Sequence, residues 1–131
     1  MNILSLLTHK SDVAYLFDDC SIRQALEKMY FHGYSAVPVI DHTGQYVTSV
    51  SEGDFLWYLI DINQKEGTVD AERLYLKDLF KKTSYKAVNI NASVEKLFTY
   101  MLDQNFVPVV DDRNMFIGII TRKAFLSAME R

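Results

Sequence analysis

Cysteine is nearly missing from this chain: Cys20 stands alone among 131 residues. A single thiol can form neither an internal disulfide nor a Cys-x-x-Cys motif, which excludes a disulfide scaffold. Its neighbours Asp18 and Asp19 raise a thiol pKa rather than activate it. An excess of one charge is missing as well. Lys plus Arg is 14 and Asp plus Glu is 17, a formal charge of −3, so no electrostatic pull toward nucleic acid or an anionic membrane is expected. No apolar run is long enough to span a bilayer. Met1 to Lys10 lacks the charged start, apolar middle and cleavage site of a signal peptide, and a cytoplasmic protein is expected. Catalytic signatures are absent too. There is no Gly-rich phosphate loop and no nucleophile elbow. His9, His32 and His42 lack metal-ligand spacing, and Asp18-Asp19 and Asp111-Asp112 read as turn residues. Neither an enzyme, a metal site nor a cofactor is expected.

What the chain does have is a repeat. Ser21 opens Ser-Ile-Arg-Gln-Ala-Leu-Glu-Lys-Met-Tyr, and Ser93 opens Ser-Val-Glu-Lys-Leu-Phe-Thr-Tyr-Met-Leu. Apolar residues recur at Ile22, Ala25, Leu26, Met29 and Tyr30, and again at Val94, Leu97, Phe98, Met101 and Leu102. That spacing predicts one buried helix face in each copy. Ser21 with Gln24 predicts a capping box. The two prolines then fall at matching places, in Val37-Pro38-Val39-Ile40 and Val107-Pro108-Val109-Val110. Proline has no N–H to give, so each strand is expected to have an edge or an interruption there.

The pattern predicts strand, helix, strand, strand, helix in each copy. Val13 to Leu16 and Ala87 to Ile90 form the first strands, and Glu52 to Ile62 and Thr121 to Met129 the last helices. Leu76 to Phe80 echoes Ile3 to Leu7 as a lead-in helix. The expected organisation is a repeat at 1–62, a polar linker at 63–74 and a second repeat at 75–131. The fold class is α/β (α+β), with neither unit able to bury its apolar face alone.

Taken together, these motifs resemble the cystathionine-β-synthase (CBS) domain in its tandem form, the Bateman module. Gly33-Tyr34-Ser35-Ala36-Val37-Pro38-Val39 with Ser51-Glu52-Gly53-Asp54 carries the likeness in the first copy. Phe106-Val107-Pro108-Val109 with Gly118-Ile119-Ile120-Thr121 carries it in the second. Within that family the chain is most similar to small stand-alone proteins of Gram-positive bacteria that bind cyclic di-AMP. Asp12-Val13-Ala14 and Phe116 to Lys123 add to this closer match. The resemblance implies two pseudo-symmetric repeats packed as one module, with adenine-nucleotide ligands in the cleft between them.

The resemblance also implies roles for residues. Asp54 would accept from the ribose hydroxyls, with Ser51 adding a contact. Ala14, Ser35 and Ala36 would let the base approach the backbone beside Pro38, and Tyr34 would stack on it. Thr121, Arg122 and Lys123 would meet the phosphates. The second copy departs from the pattern: Ala124 stands at the aspartate position, and bulky Phe106 replaces Ala36. One good site and one degenerate site are therefore expected. Thr48 stands where the second copy has Gly118, which would narrow the first cleft. Plainer readings stay open: Ser51 and Asp54 as helix caps, Arg122 and Lys123 as solvated charges, Tyr34 as packing.

The implied function is a non-catalytic sensor of an adenine nucleotide, cyclic di-AMP first and then AMP, ADP or ATP. It would signal to an unidentified protein partner and form a homodimer through exposed apolar residues such as Trp57 and Phe125. The alternative is a ligand-free assembly module.

Overall fold

The computed structural model describes residues 2–66, 73–82 and 85–130. Residues 67–72 of the expected linker lie outside the described residues. Seven strands and four α-helices follow in order among the described residues: β1 (Thr8–His9), β2 (Leu16–Phe17), α1 (Ile22–His32), β3 (Ala36–Ile40), β4 (Tyr46–Ser51), α2 (Glu52–Glu66), β5 (Val88–Asn89), α3 (Val94–Met101), β6 (Phe106–Val110), β7 (Phe116–Thr121) and α4 (Arg122–Met129). Two 3-10 segments, Ile3–Leu6 and Leu76–Lys82, are the lead-ins. The mixed α/β class and the strand-helix-strand-strand-helix order are as the sequence implies. The first strand, expected at Val13 to Leu16, lies instead at Leu16–Phe17, β5 is shorter than its apolar run, and α2 continues to Glu66, a turn beyond Ile62.

The chain divides into two compact units. A first-repeat unit comprises Ala14–Thr43 and Val47–Ser84; a second-repeat unit comprises Met1–Val13, Gly44–Tyr46 and Tyr85–Arg131. Each lead-in therefore packs in the unit of the other repeat. Leu76 and Leu79 are buried with Leu16, Ile22, Met29, Val39 and Phe55 in one core. Ile3 is buried with Val88, Leu97, Val107, Ile120 and Phe125 in the other. Apolar spacing shows that a segment is buried, but not which core buries it.

Capping determines where the helices begin. At α1 the Ser21 hydroxyl accepts from the Gln24 N–H, and the Gln24 side chain accepts from the Ser21 N–H, the expected capping box. Ser93 and Thr121 accept likewise from Lys96 and Ala124. The helix ends differ. Gly33 closes α1 in the left-handed conformation at φ 70°, a geometry glycine adopts without steric cost. No glycine follows α3. Instead the Arg122 guanidinium donates from Nε to the Met101 carbonyl and from Nη2 to the Gln104 carbonyl, 3.1 and 2.9 Å. A cation thus satisfies carbonyls at a helix C-terminus, where the helix dipole favours it.

The second-repeat sheet runs β1-β7-β6-β5 and the first-repeat sheet β2-β3-β4. The parallel pairings β2 with β3 and β5 with β6 start only past each proline, at Leu16 opposite Val39 and Val88 opposite Val109. The expected interruptions therefore lie where the prolines put them. β1 pairs antiparallel with β7, and His9 lies opposite Gly118.

Candidate functional site

At the turn from β4 into α2, two residues close on each other. The Ser51 N–H donates to Asp54 Oδ2 at 2.8 Å, and the Asp54 N–H donates to Ser51 Oγ at 3.3 Å. The Glu52 N–H donates to the Ser35 carbonyl, 2.9 Å, tying the helix start to the residue before β3. Ser35, Ser51 and Asp54 therefore meet within the first-repeat unit. Asp54 is half-buried, and its carboxylate stands among the N–H groups that open α2, where negative charge is favoured. The capping role is real, but it leaves acceptor capacity, since a carboxylate has about four lone-pair sites.

The other expected contacts of this repeat sit around that turn in sequence and differ in exposure. Ala14 and Ala36 are half-buried and Ser35 is exposed; Pro38 is buried, so it acts through its missing N–H. Tyr34 is not core: it is exposed, and its ring stacks on His32 with centroids 5.3 Å apart and planes 13° apart. Thr48, expected to narrow the cleft, is buried.

The second-repeat unit repeats the backbone and changes the chemistry. The Arg122 N–H donates to the Asn105 carbonyl at 2.9 Å, the counterpart of the Glu52 to Ser35 bond. Thr121 caps α4, but Ala124 offers no carboxylate in return. Arg122 is half-buried and commits two donors to the end of α3, so any phosphate contact falls to its remaining N–H groups. Lys123 is exposed. Phe106 is buried, with the Tyr85 ring 5.0 Å away. Gln104, which sequence reading passed over, is buried and hydrogen-bonded to Lys86 and Phe106. Its only signal was a polar residue at the place of Tyr34 in the first copy.

A second grouping was also missed. Asp18, Asp19 and His42 bring ligand-type atoms within 4.8 Å of one another. His42 stacks on Phe17 at 4.3 Å and bonds Asp19 through Nε2 at 2.8 Å. In the second repeat the same two turns are tied by the Asn89 amide donating to Asp112 at 2.9 Å. The grouping is thus a clasp between turns. Beside it, burial first and Asp19 second push the Cys20 thiol up to about 11, so it is protonated at neutral pH. A surface cavity of about 440 Å³ lies here, lined by Leu16, Phe17, Asp19, Cys20, Gln24 and Lys28, away from the Ser51–Asp54 turn.

Two copies of this strand-turn-helix motif, each with a hydroxyl at the helix start, define a tandem-repeat protein. The CBS domain model matches residues 6–61 and 76–131, and the chain belongs to the CBS-domain family. Among solved structures it is similar to CbpB in complex with c-di-AMP, at 26% identity and TM-score 0.84 over 99% of this chain and 85% of that one. CbpB from Streptococcus agalactiae is 28% identical, with TM-score 0.82 over 95% and 77%. CBSX2 in complex with AMP shares the fold at 23% identity and TM-score 0.79 over 99% and 98%. No curated protein sequence matches the chain.

Proposed function

We propose that the protein is a non-catalytic cytoplasmic sensor of an adenine nucleotide, with cyclic di-AMP the favoured ligand and AMP, ADP or ATP next. The reading rests on one observation above the rest: the chain keeps the Ser51-x-x-Asp54 turn and is 26% identical to a CBS protein solved with c-di-AMP. In this reading Asp54 accepts from ribose hydroxyls and Ser51 adds a contact. Ala14, Ser35 and Ala36 receive the base beside Pro38, and Tyr34 stacks on it. Thr121, Arg122 and Lys123 meet phosphate. The repeats are taken as 1–62 and 75–131, with 63–74 as linker. The signal passes to a protein partner whose affinity differs between the free and the bound form, since a ligand shifts only an equilibrium whose states it binds unequally.

Exposed apolar side chains favour assembly as well. Leu56, Trp57 and Ile60 stand out on α2, and Leu126 and Met129 on α4. Leu56 and Leu126 are equivalent in the two copies, and each is 54% exposed. These residues are the proposed homodimer surface. Phe125, expected there, is 2% exposed and belongs to the core, because the α4 stripe turns Phe125 inward and Leu126 outward.

Calorimetric titration with cyclic di-AMP and then AMP, ADP and ATP tests the reading. Asp54→Ala is expected to weaken binding by about 10- to 100-fold, the cost of hydrogen bonds to a charged group. Ser51→Ala also loses a cap bond but keeps the carboxylate, and is expected to weaken binding far less. No binding of any of the four by wild type would overturn the sensor and leave the ligand-free assembly module.

A further inference from the structure

In the second repeat Pro108 cannot donate to the ladder between β5 and β6, so the pairing starts at Val88 opposite Val109. Upstream of it the N–H and C=O of Lys86 and the C=O of Phe106 are outside the ladder. Gln104 closes all three. Its Oε1 accepts from the Lys86 N–H at 2.8 Å, and its Nε2 donates to the Lys86 and Phe106 carbonyls at 3.0 and 3.1 Å. Only one orientation of the carboxamide does this, since the oxygen must face the one donor and the amino group both acceptors. The residue is 4% exposed; its bond to Phe106 is buried and its two bonds to Lys86 are half-buried.

The first repeat has the same interruption at Pro38, and its pairing starts at Leu16 opposite Val39. The matching groups are the N–H and C=O of Ala14 and the C=O of Ala36. Here Tyr34 stands at the place of Gln104, and its ring is stacked on His32. Among the described residues no side-chain hydrogen bond reaches the Ala14 or Ala36 backbone. The second repeat fills the gap from its own sequence; in the first, no described side chain does.

We propose that Gln104 is a built-in occupant of the second repeat's base pocket, standing where the edge of an adenine ring stands in the first repeat. A carboxamide shows one acceptor beside an amino group with two hydrogens. Adenine shows the same pattern, a ring-nitrogen acceptor beside its 6-amino group. Hypoxanthine replaces that amino group with a carbonyl and carries a hydrogen on N1, so its pattern is reversed. The second pocket is therefore closed by the chain itself, and the first selects adenine over hypoxanthine. Both halves of the proposal rest on the sensor reading; the three Gln104 bonds do not.

The test uses an Ala36→Phe background, in which the first repeat's base pocket carries the bulk that Phe106 gives the second. Gln104→Gly with Phe106→Ala opens the second pocket and restores the small residue that the first repeat has in Ala36. This variant is expected to melt lower than its parent. Adenine at a hundredfold excess over its dissociation constant is expected to raise its melting temperature by about 5–10 °C. Hypoxanthine is expected to leave it unchanged, and the parent to respond to neither base. No adenine-dependent rise, or an equal rise with hypoxanthine, overturns the proposal. Failure of the sensor reading shows elsewhere, in wild type that binds no nucleotide. Should the variant fail to fold, the Gln104 side-chain amide of wild type decides by NMR. Slow hydrogen exchange maintained through an adenine titration is the expected result; exchange at the solvent rate, or loss of protection on titration, overturns it.

Discussion

Gly118 shows how one residue can be mistaken for another's purpose. The resemblance sets it three positions before the hydroxyl residue Thr121, as an opening for a ligand. In the structure it takes φ 155°, and a Cβ there would run into the Thr8 carbonyl oxygen of β1. The glycine is needed because a neighbouring strand approaches closely, while Thr48 occupies the equivalent position without difficulty. Gly118→Ala is expected to destabilise the protein by about 1–3 kcal/mol, measured by urea unfolding, because backbone must move to admit the methyl. Arg122 and Lys123 part company in the same way. Arg122→Ala leaves two carbonyls at the end of α3 without their donor and is expected to cost about 1–3 kcal/mol. Lys123→Ala is exposed and is expected to stay within about 0.5 kcal/mol. Equal losses from the two would show that Arg122 is no strut.

At the scale of elements, the helices carry two kinds of apolar residue under one spacing. On α1, Ile22, Ala25 and Met29 are buried, whereas Tyr30 of the same stripe is 90% exposed. On α3, Leu97 and Met101 are buried, and Phe98 and Leu102 are exposed. Apolar spacing reports a face wider than the one the sheet covers, so the flank is left for something else or for nothing. The strands show the opposite economy. Two prolines at equivalent places each stop a parallel ladder, and the groups left beyond the stop become the place where chemistry can be read. One repeat answers with a carboxamide from its own chain; in the other, no described side chain does so.

For the whole molecule, the exposed flanks of α2 and α4 make the proposed homodimer testable. Trp57 is 65% exposed, more than a lone surface tryptophan needs. Trp57→Glu is expected to weaken self-association by at least about 30-fold, the loss typical of an aromatic anchor, and Phe125→Leu to leave it nearly unchanged. Sedimentation over a concentration series reads both. An unchanged dimer in Trp57→Glu would move the interface off α2. The exchange of lead-in segments adds a consequence at this scale. Neither repeat's sequence contains its whole core, since Leu76 and Leu79 complete one core and Ile3 the other.

The sequence by itself determined the duplication, the capping box at Ser21, the order of elements and the places where proline stops the ladders. These are local properties, set by hydrogen bonds and side-chain periods a few residues long, and they hold whatever the chain packs against. Only the tertiary structure decided which core takes each lead-in, that Phe125 turns inward and Leu126 outward, that Arg122 braces α3, and that Gln104 reaches back 18 residues to Lys86. Each of these depends on a partner distant along the chain. A burial pattern names the residues that seek cover and is silent on what covers them.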